Sequence, residues 1–153
     1  MSEIEVRIIK FEPMQMVSAY GFGTEPEGIA LDKIKAFAQN NELNLADDSI
    51  TTFGFNNPNP SKGSPNYGYE IWLPFAGVVE IDGDLRIVEF SGGLYAVTTF
   101  KGLENIGEVW GKLVKWAEGS KYKRAHHQWL EELTTFEAPL DEYVFNLYLP
   151  IAE

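Results

Sequence analysis

The sequence predicts an α+β fold built from two β-β-α-β units related by a pseudo-two-fold, and three matches of the chain with itself carry that prediction. Tyr67 to Pro74 (YGYEIWLP) matches Tyr143 to Pro150 (YVFNLYLP), and Leu31 to Ala38 (LDKIKAFA) matches Trp110 to Ala117 (WGKLVKWA). Val17 to Phe22 (VSAYGF) lies over Tyr95 to Phe100 (YAVTTF). The matches keep the same order, and their offsets agree to within three residues. Two copies, unlike a long array, imply one pseudo-symmetric domain rather than a solenoid. That domain spans 1–153, with repeat 1 over about 4–76 and repeat 2 over about 84–152. Each repeat offers a strand pair, a helix and a closing strand, and buries its apolar face only when paired with the other. The expected architecture is therefore an antiparallel sheet with a central ligand groove along the pseudo-axis.

The elements follow in order. Residues 5–12 read as a strand through Val6, Ile8 and Phe11, closed by Pro13. Met14 to Phe22 is a second strand that runs into a bend at Gly21 and Gly23. From Glu27 to about Gln39, Ile29/Ala30, Ile34 and Phe37/Ala38 recur at helical spacing. Ser49 to Phe55 is strand-like, residues 56–66 form a loop rich in Asn, Pro and Gly, and Tyr67 to Pro74 is a strand. Asp82-Gly83 marks a turn. The pattern then restarts: Arg86 to Phe90, a turn at Ser91 to Gly93, Leu94 to Phe100, and a helix from Asn105 to about Glu118. A short helical piece is expected around Trp129 to Leu133, and the last strand is Tyr143 to Ile151.

Composition bounds the function. Twelve basic against twenty-three acidic residues leave a net charge of −11, a field that repels a phosphate backbone, so no direct nucleic-acid partner is expected. The same field attracts cations over roughly a Debye length, about 8 Å at physiological salt. Cysteine is absent, which removes disulfides, thiol catalysis and sulfur-ligated zinc together. His126 and His127 are adjacent and cannot face one metal from a regular helix, so neither a metal nor any other cofactor is expected. Apolar runs such as Ile71 to Phe75 are strand-sized, and Met1 to Glu5 lacks the pattern of a signal peptide. No membrane partner is therefore expected, and the expected location is cytoplasmic.

Several segments resemble the gyrase-inhibitor-like (GyrI-like) family of effector-binding domains, the ligand-sensing ends of several bacterial multidrug-response regulators. They are Phe90 to Val97 (FSGGLYAV), the helix from Trp110 through Trp116, Leu130-Glu131, the closing Leu147 to Ile151 (LYLPI) and Tyr69 to Pro74 (YEIWLP). The resemblance covers essentially the whole chain and implies duplicated units of the SHS2 type around a groove. Drug-sensing members bind lipophilic cations there, between aromatic walls and a buried carboxylate. The motif carries that carboxylate onto Glu131, with Glu132 in the role if the register shifts by one, and an aromatic of the last strand onto Tyr148. The family's regulators add a DNA-binding helix-turn-helix for which this chain has no room, so a regulatory role implies a protein partner such as a transcription regulator.

Bottom-up, the residues point the same way. On a strand, Glu70 shares a face with Trp72, and Asn146 with Tyr148. A carboxylate beside an indole on one wall and a phenol on the other suits a delocalised cation, each cation–π contact contributing about 0.5–2 kcal/mol. The candidate ligand-binding residues are thus Glu131, Trp72, Tyr148, Trp110, Glu70, Tyr69, Phe53 and Phe55. On a helical wheel, however, Glu131 turns away from Trp129, Leu130 and Leu133 and reads as a solvated acid, and most aromatics read as core. No catalytic residue is assigned. Three functions stay open: a binding module for lipophilic cations, a hydrolase using Glu70 and Glu131 as general acid and base, and a gyrase-inhibitor-like interaction protein.

Overall fold

In the computed structural model, which describes residues 4–44, 50–57, 63, 65–77, 85–102, 105–133 and 144–153, the chain divides into two units. One is continuous, Met14–Phe90; the other is split, Met1–Pro13 with Ser91–Glu153. Among the described residues, each unit holds one helix against an antiparallel sheet, so the fold is α+β.

The continuous unit runs β2 (Met14–Gly23), α1 (Pro26–Asn40), β3 (Phe53–Asn56), β4 (Tyr67–Pro74) and β5 (Leu85–Phe90), with sheet order β3-β4-β2-β5. Pro26 opens α1 where its missing N–H costs nothing, and Glu27 sits in the first turn, where the helix dipole favours an acid. The helix closes with a left-handed residue, Glu42 at φ 58°, and the Leu43 N–H reaches back to the Ala38 carbonyl at 2.8 Å. Ala30, Ile34 and Phe37 then pack on Val17, Ala19, Ile71 and Leu73, which share one sheet face.

The split unit runs β1 (Arg7–Phe11), β6 (Gly93–Lys101), α2 (Ile106–Glu118), β7 (Lys123–Arg124), β8 (Leu130–Leu133) and β9 (Val144–Ala152). Its sheet order is β1-β6-β9-β8, and β7 also pairs with β9. Glu108 in the first turn of α2 and Lys115 in the last complement the dipole, while Val109, Leu113 and Ala117 bury against Ala96, Leu147, Leu149 and Ile151. Gly92 holds φ 77° at the β5–β6 junction, where a Cβ would collide with the Phe11 carbonyl.

Three expectations change. Trp129 to Leu133 is not helical: Leu130–Leu133 is strand β8, paired with β9. Five residues are too few for a stable helix, and the strand gains ladder hydrogen bonds that a single turn lacks. Each repeat's first strand does not pair with its second. Instead β1 pairs with β6 and β5 with β2, so sequence repeat and compact unit have different boundaries. Finally, Met16 lies opposite Pro74 and Tyr95 opposite Pro150, so Met16, not Val17, corresponds to Tyr95. The one-residue slip is understandable, because Met16 to Ala19 and Tyr95 to Thr98 are buried on both faces and show no alternation to set the register. The expected turn at Asp82-Gly83, residue Tyr143 and most of the 56–66 loop lie outside the described residues. No helix among the described residues is long and apolar enough to cross a membrane.

Candidate functional site

In both sheets the face away from the helix collects the chemistry. Strand alternation puts Tyr69, Ile71 and Leu73 toward α1 and leaves Glu70 and Trp72 on the opposite face. Cross-strand register adds Phe55 opposite Glu70, Phe53 and Ser18 opposite Trp72, and Arg86 opposite Ser18.

Glu70 is only 1% exposed and accepts four hydrogen bonds: Ser18 Oγ at 2.7 Å, Trp72 Nε1 at 2.7 Å, Arg86 at 2.8 Å and Asn57 Nδ2 at 3.1 Å. Three of those donors converge on Oε2 and Asn57 takes Oε1. Burial pushes the Glu70 carboxyl up, but the bonds from Ser18, Trp72, Asn57 and Arg86 outweigh it and hold its pKa below the ordinary value. The indole of Trp72 is braced edge-on by Phe55 at 4.9 Å and at a tilt by Phe90 at 5.8 Å.

The split unit repeats the scheme with its acid moved by one strand. Asn146 takes the place of Glu70 on the closing strand, and Glu132 lies opposite it, at the position Phe55 holds in the other unit. Glu132 Oε1 accepts from the Tyr148 hydroxyl at 2.6 Å and from Asn146 Nδ2 at 2.9 Å. Arg7 donates to Thr99 Oγ1 at 3.0 Å and to Asn146 Oδ1 at 3.2 Å, not to the acid. Among the described residues no basic side chain pairs with Glu132. Tyr148 packs on Phe11 at 5.6 Å and on Tyr95 at 5.8 Å, and burial, then the bond to Glu132 and its charge, push the Tyr148 phenol up, Arg7 acting the other way.

The structure thus brings Glu70, Trp72, Phe53 and Phe55 together on one face and puts Tyr148 on the matching face of the split unit. It does not bring in the rest. Tyr69 packs against the α1 core, and Trp110 lies in the α2 core with its ring 5.1 Å from Trp129. Glu131 sits opposite Leu147, a residue of that same α2 core, so Glu132 and not Glu131 shares the face of Tyr148. Sequence reasoning missed Arg86, Ser18, Asn57, Arg7 and Thr99. A signal for two of them was present: Arg7 to Phe11 and Arg86 to Phe90 (RIIKF and RIVEF) repeat each other. Among the described residues no cluster of His, Asp or Glu could hold a metal ion.

A duplicated sheet-and-helix unit with an acid set among aromatics defines a small-molecule-binding class of domain. The chain belongs to the GyrI-like small molecule binding domain family, whose model matches residues 4–152. No curated protein matches it. The fold recurs in the EcmrR–DNA complex at a TM-score of 0.72 and 11% identity, covering 98% of this chain and 58% of that one. This chain therefore spans little more than half of that chain's length. A structure described as a hydrolase from Listeria innocua matches at 0.71 and 13% identity, covering 98% of this chain and 93% of that one. SAV2435 bound to tetraphenylphosphonium matches at 0.59 and 12% identity, covering 96% and 93%.

Proposed function

We propose that this small-molecule-binding domain takes lipophilic cations, with Glu132 as the countercharge. The observation that carries this is the state of Glu132. It is a half-buried carboxylate on an aromatic face, both its protein donors are neutral and use Oε1, and no basic partner is present among the described residues. A partly desolvated carboxylate without a direct ion pair carries a penalty that a bound cation reduces, whatever the cation's shape. Tyr148, fixed by Phe11 and Tyr95, aims the acid rather than serving as an open wall, since it is itself only 5% exposed. The likeness to a tetraphenylphosphonium-bound protein and to the EcmrR C-terminal domain supports this reading, and with it a sensing role coupled to a transcription regulator. A general acid/base role for Glu70 is not favoured, because four donors occupy it and keep it ionised.

The test is calorimetric titration with tetraphenylphosphonium and the neutral triphenylphosphine oxide, on the wild type, Glu132→Gln and Glu131→Gln. Micromolar binding of the cation alone, about −8 kcal/mol, is expected. Glu132→Gln should weaken it about tenfold or more and Glu131→Gln should leave it unchanged. Equal binding of the neutral compound, or indifference to Glu132→Gln, rejects the reading.

A further inference from the structure

The ion pair of the continuous unit is lopsided. The Glu70 side chain is 1% exposed, whereas that of Arg86 is 63% exposed and reaches the acid through one nitrogen at 2.8 Å. The carboxylate does not depend on Arg86 for its position, since Ser18, Trp72 and Asn57 hold it from three other points. Arg86, on the outermost strand β5, has no second hydrogen bond among the described residues, so its remaining N–H groups face water. A buried, pre-aimed anion is therefore neutralised by a solvent-exposed cation that a single contact holds.

The split unit shows that this arginine is not tied to an acid. Arg7 corresponds to Arg86 by register, yet its partner on the closing strand is the neutral Asn146. The arginine is common to both units, and the acid below it is not.

We propose that the Glu70 carboxylate is a second cation site whose occupant in the resting protein is the Arg86 guanidinium, and that planar cations bearing N–H groups displace it. The chemistry selects guanidinium and amidinium heads, because a planar fork of donors reproduces the bond that Arg86 gives up. A cation without N–H groups leaves Glu70 Oε2 one donor short and has no advantage there. Trp72 and Phe55 are buried against each other, so they hold the acid in place rather than offering a ring face to the ligand. Arg86 then acts as a built-in competitor, lowering the apparent affinity by the fraction of time it is in place. This site stands independently of Glu132, so either proposal can fail alone.

The experiment is titration with benzamidinium, with neutral benzamide as control, followed by tryptophan fluorescence and thermal shift. For benzamidinium it compares the wild type, Arg86→Gln, Arg86→Ala and Glu70→Gln, each carrying Glu132→Gln so that the other cation site does not contribute. Benzamidinium should bind both Arg86 variants about tenfold more tightly than the wild type. Glu70→Gln, alone or combined with Arg86→Gln, should abolish that binding, and benzamide should not bind at all. Tetraphenylphosphonium affinity should be the same in Arg86→Gln and the wild type. Equal benzamidinium affinity with and without Arg86, or binding that survives Glu70→Gln, overturns the proposal. So does failure of both Arg86 variants to fold, because the pair is then an obligate part of the structure.

Discussion

Arg7 and Arg86 hold the same register position on the outermost strand of their sheets, yet Arg86 meets the Glu70 carboxylate at 2.8 Å and Arg7 the Asn146 amide oxygen at 3.2 Å. The two units keep one scaffold and differ in where they put the negative charge. In the continuous unit the acid is on the closing strand and its neighbour on β3 is Phe55. In the split unit the closing strand carries Asn146 and the acid moves to β8 as Glu132. A ring donor reaches the acid in both, Trp72 Nε1 in one and the Tyr148 hydroxyl in the other. Moving the acid by one strand takes it out of the arginine's pairing and turns a neutralised site into a charged one.

Glu70 makes the fold sensitive to acid. Its native pKa lies below the ordinary 4.5, so the unfolded chain takes up a proton first and stability rises with pH through that window. The contribution is complete above the ordinary value and is lost as pH falls through the native one. Glu70→Gln should cost about 2 kcal/mol at neutral pH, where hydrogen bonds to a charged acceptor are lost. It should also flatten the acid limb of a plot of urea midpoint against pH. An acid limb as steep as the wild type's would mean that Glu70 is not the titrating group.

Tyr148 makes a matching prediction in alkali. Burial and the adjacent Glu132 raise its pKa above the ordinary 10, so the neutral phenol persists in the native state after the unfolded chain has ionised. Its contribution is present below the ordinary value and disappears as pH rises toward the native one. Phenolate absorbance should show Tyr148, and likewise the buried Tyr95, ionising only as the protein unfolds. Tyr148→Phe should remove one late-ionising equivalent and lower stability by about 1.5 kcal/mol, the loss of a bond to a charged acceptor.

How much of this was legible depended on periodicity. Strand β4 and both helices follow the sequence pattern closely, since Ile34 and Leu113 recur at helical spacing and Tyr67 to Pro74 is bounded by a loop and a proline. Strand β8 was not legible. Its four residues are too few to separate strand from helix, so a helical wheel places Glu131 and leaves the choice between Glu131 and Glu132 open. Only the pairing with β9 turns Glu132 to the face of Tyr148. The pairing of β1 with β6 was also hidden, because strand patterns say which face is buried but not which partner lies alongside. Ser18, Asn57 and Arg86 come to Glu70 from residues far apart in sequence, and no local spacing could have joined them.

Gly54 and Tyr69 are coupled by contact. A Cβ at Gly54 would overlap the Tyr69 hydroxyl and lie 2.8 Å from its ring edge, so the tyrosine packs where a side chain would otherwise stand. Gly54→Ala should destabilise by about 2 kcal/mol through overpacking. Tyr69→Leu in that background should recover part of the loss, a non-additivity that a double-mutant cycle in urea reads directly. Strict additivity would show that the backbone, not the ring, sets the cost.

Glu42 points to a stabilising change. It sits at φ 58°, a conformation that costs a side-chain-bearing residue about 1 kcal/mol, and it closes α1 in the geometry where glycine is usual. The cap is otherwise complete: the Glu42 N–H reaches Gln39, the Leu43 N–H reaches Ala38, and Leu43 packs on the core. Among the described residues no side-chain bond of Glu42 repays the strain, and the residue is exposed. Glu42→Gly should therefore raise stability by about 0.5–1 kcal/mol, the relief of strain exceeding the extra freedom glycine gives the unfolded chain. Glu42→Ala keeps the Cβ and the strain and should gain only roughly the few tenths of a kcal/mol that removing the charge gives. Comparing the two variants by urea unfolding separates backbone relief from removal of a negative charge near the helix C-terminus, because both variants remove the charge and only glycine relaxes the backbone.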